Sequence, residues 1–549
     1  MKRFIAFLIA LVPVAAFAAG DGFLKGKILK LDGNESVTEI GGSSFSLTLS
    51  GISNSKSLSL LDVERALEKV VDDDKIAMVY INYDHFSASV SSIEEIRTLL
   101  GKISAAGKPV VAYGASLGNS SYYLASAADR IFLHPAGSGS LTGLGTTQYF
   151  LKDLFDSLGV EIQLIRHGKY KSAGEMYIRN DISPENREQY EVLLGSLWST
   201  IAEEIAASRG LSVEEFNSIV DNLEVGIAET WIEKGLIDGL KYRDEMEQYL
   251  CHLFGTTDPA EVETVSIRDY ISSLKKGPSG KKIAVIYADG EIVRSGGDIV
   301  GEKLAAQIAK VREDEDVKAV VFRVNSPGGE VVAADMIRRE IELLKAEKPV
   351  VASYGAYAAS GGYLISAACD RIFVDNTTLT GSIGVFGMVP ALGGAIKKVL
   401  KVNVVNIGTS PHSGMGTGMQ PLTEEEKAKY QESIEDIYDD FVTVVAEGRD
   451  MEKTAVDDIA QGRVWSGKDA LTIGLADEKG TLLDAIDYAA SLVKLDKYRI
   501  STIPEKKSFL DNIRELKNGE SDDYDPLVRF RWLLEPGFHA MAIMQYISL

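Results

Sequence analysis

The apolar positions of this chain fall into two patterns. Residues 282–287 (KIAVIY) and 319–324 (AVVFRV) are short, nearly unbroken apolar runs and read as buried strands. Residues 333–345 spread their apolar positions every three or four residues and read as a helix. Residues 349–352 are again strand-like, a turn through small residues follows, and 361–368, rich in Ala, Leu and Ile, read as another helix. Strands alternating with helices at this spacing imply a parallel sheet with crossover helices. Two longer amphipathic stretches, 186–209 and 424–449, read as long helices.

The same pattern occurs twice. Lys108-Pro-Val-Val-Ala112 recurs as Lys348-Pro-Val-Val-Ala352, and Ala127-Ala-Asp-Arg-Ile-Phe132 as Ala368-Cys-Asp-Arg-Ile-Phe373. Leu141-Thr-Gly143 recurs as Leu379-Thr-Gly381, and Gly235-Leu-Ile-Asp238 as Gly474-Leu-Ala-Asp477. The spacing is about 240 residues throughout, which marks duplication of a whole α/β domain and not a solenoid period. The expected units are 56–250 and 282–495. Between them, 251–281 carries GTTDPAE and KKGPSGKK and reads as a linker. A Gly- and Ser-rich lead-in, 19–55, is expected to hold a strand or two, and 496–549 forms a C-terminal extension.

Composition narrows the class. A chain of 549 residues with 45% hydrophobic and 25% charged residues is a multidomain globular protein. Its net charge of −22 and pI near 4.9 argue against a nucleic-acid partner, because phosphate contacts need basic patches. Lys2 and Arg3 precede an apolar run that ends in Ala16-Phe17-Ala18, so 1–18 reads as a secretory signal peptide, with an uncleaved membrane anchor as the alternative. Either way the chain is expected to be exported across, or anchored in, a membrane. The two cysteines, Cys251 and Cys369, exclude a disulfide framework and a cysteine-based zinc site by count.

Candidate chemistry gathers at two strand ends. Ser360 stands where the run from Pro349 turns into the next helix, followed by Gly361 and Gly362. A serine flanked by such small residues has an exposed hydroxyl near the amides that open a helix; it reads either as a nucleophile or as a helix cap. Asn325-Ser-Pro-Gly-Gly329 follows the strand 319–324, and its turn can aim amides at an anion. A nucleophilic serine needs a base, and none of the six histidines has a recognisable context. A lysine serves if it is kept neutral. Lys171 differs from the other lysines in having Tyr170, Ser172 and Ala173 as neighbours and an apolar run, 162–165, before it.

Taken together, NSPGG, AASGGY, LTGSIG, GKYKSA and VWSGKDALTIGLAD, in two copies behind an N-terminal apolar segment, resemble the signal peptide peptidase (protease IV) family in its long form. The resemblance spans about residues 55 to 495. It implies tandem ClpP/crotonase-like domains and a serine endopeptidase with a Ser–Lys dyad. Ser360 would then be the nucleophile, Lys171 the general base, Ser382 the residue that orients the lysine, and the amides of Gly328 or Gly329 with Gly361 the oxyanion hole. It further implies signal peptides and other apolar segments as substrates, action at the inner membrane, a homotetramer, and no metal or other cofactor.

The repeat bears on the same residues. Opposite Lys171 the second copy has Ser410-Pro-His-Ser413, without a lysine, and opposite Asn325–Gly329 the first copy has Asn82-Tyr-Asp-His-Phe86. Opposite Ser360 stands Asn119 or Ser120, with Ser121 and Tyr122 in place of its glycines. Each copy keeps one part of a site, so the dyad is expected to form between the domains. A crotonase-like acyl-CoA enzyme and a non-catalytic peptide-binding scaffold are the competing readings.

Overall fold

Valine- and isoleucine-rich runs that are apolar on both faces can bury only inside a parallel sheet covered on both sides. The chain builds two such sheets. The computed structural model describes residues 23–33, 35–48, 51–274, 280–504 and 537–541. The segment expected to direct export, 1–18, therefore lies outside the described residues, as do 505–536 and 542–549 of the C-terminal extension.

In the first unit the strands lie in the order Gly239–Leu240, Arg130–Gly139, Val110–Leu117, Ile76–Asn82, Lys27–Leu31 and Thr264–Ser266, all parallel. In the second unit Glu478–Lys479, Arg371–Val374, Val350–Ala359, Val317–Ser326, Lys282–Asp289 and Arg499–Ile503 repeat that order. Val350–Ala359 also pairs further along with Leu379–Gly381, which continues antiparallel to Val464–Ser466. The centre of the second sheet is dry, with Val320, Val321 and Phe322 fully buried.

The long helices appear where the amphipathic pattern predicts them, and their ends explain their lengths. Pro184–Arg209 starts at Ser183, whose hydroxyl accepts the Asn186 N–H, and stops at left-handed Gly210. Glu424–Arg449 starts with a reciprocal cap between Thr423 and Glu426.

Three sequence expectations differ from the structure. The strand expected over 349–352 runs on to Ala359, because pairing on both sides, Ser326 with Ala358 and Ala358 with Thr380, holds weak strand formers extended. The helix expected over 361–368 is only Gly361–Leu364, after which Ser366 turns its hydroxyl back onto the Gly362 carbonyl. The sheets also reach beyond the expected units. Lys27–Leu31, in the lead-in, is an inner strand, and the 251–281 stretch contains the edge strand Thr264–Ser266 and the helix Ile267–Ser273.

Two features join the units. In a smaller mixed sheet, Glu161–Arg166 of the first unit pairs antiparallel with Phe386–Ala391 of the second. Elsewhere Arg323, on a central strand of the second unit, donates to Glu39 (2.8 Å) and Glu95 (2.7 Å) of the first, and to Ser353 and the Tyr354 carbonyl. Glu95 also accepts the Leu482 N–H, and Glu94 accepts the N–H groups of Asn376 and Thr377. Both cysteines are buried and free, and burial pushes the Cys369 thiol up to about 12. No helix among the described residues is long and apolar enough to cross a membrane.

Candidate active site

Ser360 ends the strand Val350–Ala359 and begins the short helix Gly361–Leu364, with φ 56° and ψ −118°. A left-handed φ is strained for a residue with a β-carbon. It is held here by the Ser360 N–H, which donates to the Gly381 carbonyl, and by the Leu364 N–H, which returns to the Ser360 carbonyl. Gly362 has to be glycine, because a β-carbon there would come within 2.5 Å of the Ser326 carbonyl oxygen. The helix start and the Ser326–Gly329 loop are pressed together at this point.

Lys171 arrives from the other unit. Glu161–Arg166, paired with Phe386–Ala391, brings the following loop against the second unit, where the His167 N–H bonds the Val385 carbonyl and the Tyr170 N–H the Gln461 carbonyl. Lys171 Nζ then lies 2.7 Å from Ser360 Oγ and 3.0 Å from both Oγ and the carbonyl oxygen of Ser382. Ser382 itself has φ 51° and donates its N–H to the Arg463 carbonyl. Lys171, Ser360 and Ser382 are each buried to within 1% of full enclosure.

This burial decides the charge. Desolvation alone holds the Lys171 amine well below the usual lysine range. A neutral amine has two N–H groups and one lone pair. The three contacts match that count: two acceptors on Ser382, and one hydroxyl, that of Ser360, able to donate to the lone pair. Glycines pack the alkyl stem. A β-carbon on Gly462 would lie 2.6 Å from Lys171 Cβ, and one on Gly384 would lie 3.3 Å from its Cδ. Leaving no room for water beside the stem disfavours the charged amine.

The Asn325–Gly329 loop is more ordered than the turn that the sequence predicts. Gly328–Glu330 is a short strand, parallel to Ile292–Val293 and antiparallel to Gly537–Met541. Gly328 donates its N–H to Ser326 Oγ at 3.2 Å, so that amide is already engaged. Gly329 lies so close to the neighbouring strand that a β-carbon would come within 1.9 Å of the Ile292 carbonyl oxygen. Asn325 fixes the loop base, donating to Asp289 and accepting the Tyr357 N–H. Burial raises the Asp289 carboxyl to about 6.

Among the described residues of the first unit, the corresponding positions build no such arrangement. Tyr122 and Tyr363 make the same hydrogen bond, to the carbonyls of Leu236 and Leu475 in the repeated Gly-Leu-x-Asp motif. That register sets Asn119, not Ser120, opposite Ser360. The Asn119 side chain is engaged locally, donating to the Gly143 carbonyl and accepting the Thr142 N–H. Residues that the sequence reading passed over are Gly462 and Arg463, neither of which stands out in the hydrophobic pattern; Gly384 closes the LTGSIG motif without a role of its own there. Among the described residues, no group of His, Cys, Asp and Glu side chains is arranged to hold a metal ion.

Comparison with known proteins gives the family. The model of peptidase family S49 matches the chain twice, at residues 102–254 and 342–496, one match in each unit. Protease 4 of Haemophilus influenzae is 34% identical over 522 residues, 89% of this chain and 83% of that protein. Protease 4 of Salmonella typhi is 36% identical over 475 residues, 84% of this chain and 76% of that one. The chloroplastic serine protease SPPA of Arabidopsis thaliana is 35% identical over 461 residues, 82% and 68% of the two chains. Among solved structures, a point mutant of ClpP1 from Listeria monocytogenes matches 37% of this chain and 94% of its own, at 18% identity and a TM-score of 0.26, too weak a likeness to carry an argument.

Proposed function

The chain belongs to peptidase family S49 and is a serine peptidase, and from that premise we propose that it cleaves peptides with a Ser360–Lys171 dyad formed between its two units. The observation that carries this is the 2.7 Å contact between Lys171 Nζ and Ser360 Oγ in a dry site. Neutral Lys171 takes the Ser360 proton as Oγ attacks the peptide carbonyl carbon. Amides of Gly361 and the loop glycines take the charge that develops on the carbonyl oxygen. Gly329 suits this better than Gly328, whose N–H is engaged. The Lys171 ammonium then protonates the leaving nitrogen as the C–N bond breaks. Lys171 then deprotonates a water that attacks the acyl ester, and its ammonium gives that proton to Ser360 Oγ as the ester C–O bond breaks. Ser382 orients the amine by accepting both of its N–H groups.

The substrate in this reading is an extended chain. Gly537–Met541 lies antiparallel to Gly328–Glu330 on one side and to Phe386–Met388 on the other, and an unfolded peptide can add as a strand in the same slot. By resemblance these peptides are signal peptides and other apolar segments at the inner membrane. Export would follow from segment 1–18, and N-terminal sequencing of the exported protein tells a cleaved signal from an anchor. We read both units as ClpP/crotonase-like domains on their shared strand order. The family assignment leaves the acyl-CoA and scaffold readings without support.

The repeat also supports a homo-oligomer. Residues 403–408 of the second unit correspond to Glu161–Arg166 of the first, yet they lie in no strand and expose Val405 (77%) and Ile407 (91%). Residues 147–150, near the first-unit counterpart of Phe386–Ala391, also lie in no strand, with Tyr149 70% exposed. A second copy of the chain, joined head to tail, satisfies both, and the resemblance sets the number at four. Val405→Lys with Ile407→Lys should dissociate the assembly in light scattering; an unchanged mass rejects this contact.

The catalytic reading is tested by hydrolysis of an apolar fluorogenic peptide. Wild type should turn over, and Ser360→Ala should lose several orders of magnitude. Undiminished turnover by Ser360→Ala would overturn the assignment.

A further inference from the structure

A dyad whose members come from different units needs something that sets one unit against the other within a fraction of an ångström. Residues 461–464 of the second unit touch both sides. On the lysine side, the Gln461 carbonyl accepts the Tyr170 N–H at 2.9 Å, and Gly462 packs against the Lys171 stem. On the serine side, the Gly462 N–H donates to the Ile383 carbonyl (2.8 Å) and the Arg463 carbonyl accepts the Ser382 N–H (2.6 Å). The Val464 N–H donates to Gln189 Oε1, and Gln189 Nε2 donates to the Tyr170 carbonyl.

One side chain grips across this junction. The Arg463 guanidinium lies 4.9 Å from the ring centre of Tyr170, the residue before Lys171, and 4.5 Å from that of Trp465. It also donates to the Tyr170 hydroxyl and to Glu188, both at 3.3 Å. Trp465 is fixed in turn by donating to the Ile459 carbonyl. Tyr170 is buried, so its ring cannot leave without opening the wall beside Lys171.

We propose that Arg463 is a positioning residue: by clasping the Tyr170 ring it holds the lysine loop closed over the Ser382 turn, keeping Lys171 Nζ dry and aimed at Ser360. This rests on the dyad reading given above. A planar guanidinium can contact two rings while donating in its own plane, which an ammonium cannot. The simpler account, an exposed ion pair with Glu188, concerns an interaction that rarely contributes much at a surface. The two accounts make different claims about the lysine. If the clasp keeps water out, loosening it makes the charged amine easier to form.

The test compares pH profiles of peptide hydrolysis. Arg463→Ala should lower kcat by about 10²-fold, the loss expected from misplacement on the ångström scale, with a much smaller change in KM. Its acidic limb should move to higher pH, Arg463→Lys should recover part of both effects, and Glu188→Ala should change neither. If Arg463→Ala does not fold, Tyr170→Leu takes its place and should show the same limb shift, while Tyr170→Phe, which keeps the ring, should not. An acidic limb unmoved in the folded variant overturns the proposal. Ser360→Ala measured alongside separates the two readings: if it stays active the dyad itself is wrong, whereas a dead Ser360→Ala beside a normal Arg463→Ala removes only the clasp.

Discussion

Phe86 stands in the first unit where Gly329 stands in the second: Phe86 pairs in parallel with Glu35, and Gly329 pairs in parallel with Ile292, each just beyond the end of a central strand. Replacing a glycine by phenylalanine at this position removes the close backbone approach that shapes the loop. With Asn119 opposite Ser360 as well, the first unit lacks both the nucleophile and the loop. Ser120→Ala and Asn119→Ala should therefore leave kcat/KM for peptide hydrolysis within about twofold, the range of surface changes far from a site. A large loss in either would place chemistry in the first unit.

Gly329→Ala should be nearly inactive. Its β-carbon would come within 1.9 Å of the Ile292 carbonyl oxygen, at φ 157°, so the strand must shift and carry its amide away. Loss of one oxyanion donor costs about 10²–10³-fold in kcat. Single-turnover kinetics should show the fall in the acylation rate; an unchanged rate would mean that this amide does not face the reacting carbonyl.

Activity and the buried carboxyls' share of stability should respond to pH in opposite directions. In the proposed mechanism Lys171 acts as the neutral amine, and burial holds it well below the ordinary lysine range, so kcat/KM should fall as pH falls through that depressed value. At the contact between the units, burial pushes the Glu64 and Asp375 carboxyls well above the usual range, with the charge of Glu95 adding to both. Carboxyls raised on folding stabilise the folded state most at low pH, and that stability is lost as pH rises through their folded values. The carboxyl contribution to the urea midpoint should therefore fall as pH rises above the ordinary carboxylate range, against an opposite contribution from Lys171, whose depressed value favours folding as pH rises towards the ordinary lysine range. Glu64→Gln should flatten the drop.

Arg323→Ala should unfold the contact between the units. It would leave Glu39 and Glu95 buried side by side without their cation, and removing one partner of a buried ion pair costs about 3–5 kcal/mol. Chemical denaturation should show the lower midpoint, and peptide hydrolysis should fall with it because Lys171 and Ser360 belong to the two units being separated. A variant of normal stability would show that the contact is held by apolar packing alone.

Much of this was legible in the sequence. Ser360 and Lys171 stand in motifs whose duplication and complementary loss point to one site between the units, Ser382 follows from the family resemblance alone, and the alternating strands and helices of both units follow the apolar pattern. What the sequence hid were pairings across long separations. Nothing in Glu161–Arg166 says that it joins Phe386–Ala391 of the other unit, since strand periodicity describes a face and not a partner. Arg323 reads as an interruption in a valine run, because Glu39 and Glu95, which neutralise it, lie 284 and 228 residues away. Lys27–Leu31 looks too polar for an inner strand, and only neighbours on both sides make it one.

The central claim is that Lys171 activates Ser360 across the contact between the units. A serine-reactive organophosphonate, read out by mass spectrometry, tests it without depending on the choice of peptide. The account predicts a single adduct on Ser360, formed more slowly as pH falls, and none in Lys171→Ala despite an unchanged urea midpoint. Equal labelling of Ser360 in the presence and absence of the lysine, or an adduct on another serine, would contradict it.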